Sequence, residues 1–184
     1  MQQQLVALNV QLGLLGKTAD RDPAKVPAMA SILQERATEA LDDLRNLARG
    51  IYPPLLADQG LAAALQAQAR KAAVPTTVAS DGVGRYDRAI ESAVYFCSLE
   101  ALNNVAKYAD ASRATIELEQ DDGRLRFTVR DDGAGFDVGA TAYGTGLQGM
   151  ADRLDAIGGS IAVESAPGSG TIVVGTVPIG GGSV

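Results

Sequence analysis

ATIELEQDDGRLRFTVRDDGAGFD, residues 114–137, is the stretch from which the rest of this chain can be read. It predicts two strands, 113–120 and 124–130, turning back on each other at Asp121, Asp122 and Gly123, because Asp-Gly between two such runs is a strong hairpin signal. The second strand then runs straight into Asp131, with Gly133 and Gly135 following.

Outward from this hairpin, the sequence predicts helices over 61–73 and 88–109 and a strand near 76–79. After a glycine-rich stretch come a helix over 147–156 and strands near 160–165 and 171–177, separated by APGSG. Helices and an antiparallel-rich sheet in this order give the α+β class, as a two-layer α/β sandwich.

The segment GIYPPLLADQG (50–60) breaks helical periodicity, since Pro53 and Pro54 lack amide donors and push the preceding residue out of helical geometry. We read it as a linker. Ahead of it, Leu5, Leu8, Leu12 and Leu15 form one stripe of a helix over 2–16, and KTADRDPAK (17–25) reads as a loop. A longer amphipathic helix over 26–48 carries Met29, Leu33, Ala40, Leu41, Leu44 and Leu47 on one side. Such a hairpin has too thin an apolar stripe to form a core alone, so pairing with a second copy in a four-helix bundle, as a homodimer, is expected, with packing on the following domain in a monomer as the alternative. The expected organisation is a helical hairpin (1–49), a linker (50–60), the sandwich (61–179) and a disordered tail (180–184).

Composition excludes several classes of function. The chain contains no histidine, which removes Ser/His/Asp triads, the usual zinc sites and imidazole acid–base chemistry. A net charge of -6, with no basic run interleaved with aromatics, leaves direct nucleic-acid binding without an electrostatic source. The single cysteine, Cys97, lies among apolar residues at helical spacing and is expected to be a buried packing thiol. No apolar run reaches the length that spans a bilayer and the N-terminus has no signal-peptide pattern, so no membrane contact and a cytoplasmic location are expected.

The remaining signals concern chemistry. In SLEALNNVAKYA (98–109), Glu100, Asn104 and Lys107 fall at i, i+4 and i+7, within an arc of about 60° on an ideal helix. They lie beside the apolar stripe Ile90, Val94, Cys97, Ala101 and Val105. An acid, an amide and an ammonium on one face suit Mg²⁺ and phosphate, although a solvated helix face has the same composition. Asp131 at a strand end can accept a hydrogen bond from an adenine amino group, and Gly133 and Gly135 would leave room for a base to approach the backbone. A plain turn is the alternative, and the calcium-loop spacing is not met. GTGLQGM (144–150) formally satisfies G-x-G-x-x-G but does not follow a buried strand, which argues against a dinucleotide fold. Its glycines do open a helix, where free amides favour phosphate. Gly144 and Gly146 are therefore read as a phosphate-facing hinge and 136–143 as a lid.

In this order the motifs resemble the catalytic domain of histidine kinases in the gyrase, Hsp90, histidine kinase and MutL superfamily, with its Bergerat-type ATP-binding fold. EALNNVAKYA is similar to the N box, DDGAGFD and GTGLQGM to the two glycine boxes, and PGSGT (167–171) to the final glycine turn. The resemblance implies ATP and Mg²⁺ as cofactors. Asn104 would ligate Mg²⁺, Lys107 and Tyr108 would face phosphate, Asp131 would bind adenine, and Gly133, Gly135, Gly144, Thr145, Gly146, Leu147 and Thr171 would shape the nucleotide site, with Glu100, Asn104 and Lys107 as catalytic candidates. Upstream, QQQLVALNVQL and LRNLARGIYPPLLADQGLAAAL are similar to the dimerisation region of NarX-like and DesK-like sensors. There a His-Asp pair precedes the segment matching residues 2–5, so this chain is expected to begin after its phosphoacceptor. Gln3 would match a glutamine implicated in dephosphorylating a response regulator. The resemblance thus implies transfer of phosphate from ATP to a histidine and on to a response regulator receiver domain. Two rival readings are an ATPase of the same superfamily with Glu100 as base, and a non-catalytic dimerisation module.

Overall fold

A computed structural model describes residues 53–140 and 144–180 throughout, together with 12, 13, 15, 16, 18, 22–27, 29, 30, 32 and 33. At its centre is the predicted hairpin, β2 (Ala114–Asp121) and β3 (Arg124–Asp131), paired antiparallel from Ala114↔Asp131 to Asp121↔Arg124. The two turn residues both have positive φ, 45° at Asp122 and 74° at Gly123. Only this primed geometry lets a two-residue turn follow the right-handed twist of its strands.

Three further strands extend this pair. β1 (Thr76–Asp81) lies parallel to β2, β5 (Thr171–Pro178) is antiparallel to β3, and β4 (Ser160–Ser165) is antiparallel to β5, giving the order β1-β2-β3-β5-β4. A parallel neighbour needs a long crossover, and α2 (Arg88–Asn104) supplies it between β1 and β2. Side chains alternate across the sheet: Ile116, Leu118, Leu125, Phe127, Val129, Val173 and Val177 are buried, while Glu117, Glu119, Arg124, Arg126 and Arg130 are exposed. The buried set forms one core with Leu56, Leu61 and Leu65 of α1 (Pro54–Ala69), Val94, Cys97 and Ala101 of α2, and Met150 and Leu154 of α3 (Thr145–Asp155). This is the two-layer α+β sandwich the sequence predicts, and Cys97 is a fully buried packing thiol.

Several boundaries differ from the sequence reading. The 50–60 segment is not simply a linker, because α1 begins at Pro54, where a first-turn position has no need of an amide donor. Pro53 itself is extended, as the sequence predicts, and the helix is interrupted again at Gly60, whose φ of 79° is non-helical, so that its second part starts at the predicted Leu61. There a Cβ would stand 2.8 Å from Cδ of Arg85. Arg85 crosses Gly60 to donate to the Ala57 carbonyl at 2.9 Å and to the fully buried Glu91 carboxylate at 2.8 Å. α1 ends at Ala69 rather than 73, and beyond it the Lys71 and Ala72 amides donate back only three residues, to Gln68 and Ala69. Strand β1 runs on to Asp81, and α3 starts two residues earlier than predicted.

The chain divides into two compact units, Met1–Ile51 and Tyr52–Val184. In the first, Thr18 is still helical, past the predicted stop at 16, and Pro23–Lys25 forms a 3₁₀ turn inside the predicted loop. Leu33 is buried and Leu12 and Ile32 are exposed. The other stripe positions, Leu5, Leu8, Ala40, Leu41, Leu44 and Leu47, and the tail from 181 onward lie outside the described residues. No helix among the described residues is long and apolar enough to cross a membrane.

Packing around Phe127 gives a direct test of this architecture. Phe127 is fully buried opposite Gly175, and a Cβ built on Gly175 would run into its ring. Gly175→Ala is therefore expected to destabilise the sandwich by about 1–3 kcal/mol, seen as a lower denaturant midpoint with an unchanged slope. An unshifted midpoint would mean that the ring has room to move aside.

Candidate functional site

The candidate site collects where α2 ends. Glu100 and Asn104 sit half-buried on its last turns, among the buried Ala101, Leu102 and Val105. The predicted helix to 109 does not stay α-helical: Val105–Ala109 is a π turn, and the chain leaves it at Asp110 in left-handed geometry, φ 49°. A wider turn rotates the residues beyond it, so the arc of Glu100 and Asn104 does not carry on to Lys107. Lys107 and Tyr108 point outward, Tyr108 being 73% exposed.

Asp131 closes β3 on the inward face of the sheet and is only 7% exposed. Its Oδ1 accepts the amide of Gly133 at 2.9 Å, and this is its one side-chain hydrogen bond among the described residues. The segment after it is pinned from two sides. The Ala134 amide donates to the Ala109 carbonyl at 2.6 Å, and the Ala134 carbonyl accepts from the Gly168 amide at 2.6 Å. Backbone approaches this close explain the glycines. A Cβ on Gly133 would strike the Ala109 carbonyl, one on Gly135 the Ala166 carbonyl, and one on Gly170 the Asp131 carbonyl. The missing side chains at Gly133 and Gly135 thus serve close packing of the protein's own backbone.

Gly144 is the N-cap of α3 with no side-chain cap, and ordinary negative φ (−67°). The first amides of this helix are therefore uncapped by side chains, as an anion site requires. Gly146 lies against Glu100, whose Oε1 would be 2.6 Å from a Cβ there. Gly144 and Thr145 are exposed, whereas Leu147 packs on the core. Residues 141–143 of the predicted lid lie outside the described residues. Thr171 opens β5, half-buried, with its hydroxyl 3.1 Å from that of Ser165.

Two residues that sequence reasoning missed hold this region together. Asp132 ties the loop after α2 to the end of β3: its carboxylate accepts from the Ser112 hydroxyl at 2.7 Å and from the Ser112 and Arg113 amides at 2.9 and 3.0 Å. Chiefly the Ser112 hydroxyl, with the Arg113 amide next, holds the Asp132 carboxyl below the usual carboxylate range. Ser165 accepts the Phe136 amide at 2.9 Å and donates to the Gly170 carbonyl at 2.8 Å. It stands opposite Thr171 in the β4–β5 pair, a relation that only the strand register reveals. No cluster of three acidic, cysteine or histidine side chains able to hold a metal is present among the described residues.

Comparison with known proteins fits this geometry. Residues 89–181 match the family of histidine kinase-, DNA gyrase B-, and HSP90-like ATPases, and residues 1–56 match a histidine kinase family. The chain is 30% identical, across 96% of its length, to the oxygen sensor histidine kinase NreB of Staphylococcus carnosus, spanning 52% of that protein. It is 29% identical, across 91% of its length, to the signal transduction histidine-protein kinase/phosphatase UhpB of Salmonella typhimurium, spanning 34% of it. The chain thus covers about half or less of these relatives. In fold it resembles the histidine kinase domain of the Erythrobacter litoralis EL346 blue-light activated histidine kinase, with a TM-score of 0.52 at 20% identity, covering 96% of this chain and 91% of that one.

The Asp132 clamp has a pH signature. A carboxyl whose folded pKa is depressed stabilises the fold above its ordinary pKa, near about 4, and loses that contribution as pH falls through the folded value. Asp132→Asn is expected to flatten the acid limb of stability below about pH 4, in urea titrations taken at stepped pH. An acid limb as steep as that of the wild type would show that the clamp does not act on stability.

Proposed function

The chain belongs to the family of histidine kinase-, DNA gyrase B-, and HSP90-like ATPases, and on that basis we propose that it is the ATP-binding catalytic part of a two-component sensor histidine kinase. The observation that carries the reading is Asp131, a buried carboxylate with one oxygen held by Gly133 and the other without a protein donor among the described residues. Burying such an oxygen unpaired is costly, and a ligand amino group would offset that cost.

In this reading Asp131 accepts from the adenine amino group and Thr171 flanks the same end of the ring. The uncapped amides at Gly144, Thr145 and Gly146 receive the phosphates, with Lys107 and Tyr108 reaching them from the π turn, and Leu147 lines the route to the core. Asn104 holds Mg²⁺ through its side-chain oxygen. That single amide fits a cation that keeps most of its waters and takes its other ligands from phosphate. Glu100, against Gly146, orients the groups around the transferred phosphate. Bound ATP with Mg²⁺ supplies the γ-phosphoryl group, and the positioned donors stabilise its charge during transfer to a histidine.

The sequence holds no histidine, so the acceptor belongs to a segment or chain outside these 184 residues. From there the phosphoryl group passes to the receiver domain of a response regulator. The match of residues 1–56 to a histidine kinase family supports homodimerisation through the N-terminal helices. Dependence on ATP supports action on the cytoplasmic side of the cell.

A charge-assisted hydrogen bond is worth about 1.5–3 kcal/mol, so Asp131→Ala is expected to weaken ATP binding on the order of ten- to a hundredfold in a calorimetric titration with Mg²⁺. Unchanged affinity would remove Asp131 from the site. A form of the protein extended to include the expected histidine should, with ATP, accumulate acid-labile phosphate, and a form that takes up none would refute the kinase reading.

A further inference from the structure

Three polar side chains stand in a row across one end of the sheet. Ser165 of β4 pairs with Thr171 of β5. The β3–β5 ladder runs to Arg130↔Ile172, so Asp131 stands next along, opposite Thr171. By strand alternation, Asp131 and Thr171 share the inward face with Val129 and Val173, both buried. The row is therefore Asp131, Thr171, Ser165 on the face that also carries the core.

The hydrogen-bond accounting at Ser165 fixes a proton that the distances alone leave open. A serine hydroxyl has one proton to give. The Gly170 carbonyl, 2.8 Å away, can only accept, and Gly170 is buried, so the proton of Ser165 goes there. The Phe136 amide occupies one lone pair of the same oxygen at 2.9 Å. The 3.1 Å contact between the Ser165 and Thr171 hydroxyls must then be made by the proton of Thr171. With that proton committed backward, the Thr171 oxygen offers only lone pairs elsewhere. Asp131 likewise only accepts. The end of the site is thereby made acceptor-only.

We propose that Ser165 is a positioning residue for ligand specificity: by drawing the Thr171 proton to itself, it makes the Asp131–Thr171 end select a purine bearing an exocyclic amino group and reject one bearing an oxo group there. A 6-oxopurine brings carbonyl lone pairs against the Thr171 oxygen, whereas a 6-aminopurine brings N–H donors. The proposal rests on the nucleotide-binding reading of this site and adds a residue that never touches the base.

Equilibrium titrations with ATP and ITP, which differ in the C6 substituent and, with it, in the proton on N1, test it. Wild type should prefer ATP. Ser165→Ala releases the Thr171 proton to turn toward the ligand, and the ATP:ITP affinity ratio should fall by about fivefold, the scale of one neutral hydrogen bond. Thr171→Val, which removes the second acceptor without changing shape, should lower the ratio similarly and decides the matter if Ser165→Ala does not fold. Ser165→Thr keeps the hydroxyl and should keep the wild-type ratio. A purely structural role for Ser165 would weaken both nucleotides equally. A wild-type ratio in Ser165→Ala or Thr171→Val, or a lost ratio in Ser165→Thr, overturns the proposal while leaving nucleotide binding intact. Wild type binding neither nucleotide would instead sink the reading beneath it.

Discussion

The region rests on one close crossing of backbone, where the segment after Asp131 passes between the end of α2 and the turn joining β4 to β5. Ala134 is the pivot, its amide bonded to Ala109 and its carbonyl to Gly168, both at 2.6 Å. The crossing is possible only because Gly133, Gly135 and Gly170 carry no Cβ where a neighbouring carbonyl stands. Three segments far apart in sequence are thereby fixed to one another: the π turn beyond Asn104, the strand end with Asp131, and the turn leading to Thr171. Each candidate role assigned to those side chains depends on this arrangement of main chain.

Hydrogen bonds added around the crossing make it stiff. Asp132 holds the loop after the π turn, and Ser165 holds the Phe136 amide and the Gly170 carbonyl. A buried or half-buried polar group that is fully paired costs little and orients its neighbours, while an unpaired one costs about 1–3 kcal/mol. Asp131 is the exception in this neighbourhood, with one oxygen paired and, among the described residues, one not. Elsewhere the molecule pairs its buried acid thoroughly, for Glu91 takes both Arg85 and the Tyr86 amide. That contrast between two buried carboxylates is the physical reason to read Glu91 as structural and Asp131 as a binding group.

The sequence made the fold legible wherever a local rule had no competitor. Asp122-Gly123 could only be a tight turn, and the spacing of Val94, Cys97 and Ala101 could only be the buried side of a helix. It misled where a tertiary contact overrode the local preference. Pro53-Pro54 read as a break and is one, with Pro53 extended, but Pro54 at once serves as the first residue of the next helix, and a second break falls at Gly60, where Arg85 crosses. The π turn at Val105–Ala109 has no signature in composition, so Lys107 was placed on an arc it does not share. Gly133 and Gly135 were recognised as necessary, but their backbone neighbours were not, because sequence shows that a Cβ is missing and not what fills its place. Ser165 went unnoticed for a related reason: its partners come from three separate stretches of chain and meet only once β4 and β5 are paired.

Electrostatics constrain how an anion could enter such a site. The N-terminus of α3 favours negative charge through its free amides and helix dipole. Glu100 already lies against Gly146 at that terminus, and the chain as a whole carries a net charge of -6. At about 4 Å, two like unit charges in partly screened surroundings oppose each other by roughly 4 kcal/mol, more than a helix terminus returns at about 0.3–1 kcal/mol. Helix amides alone therefore return less than a like charge at Glu100 would cost. In the reading proposed above, a divalent ion at Asn104, one turn along the same helix from Glu100, is what would offset that shortfall.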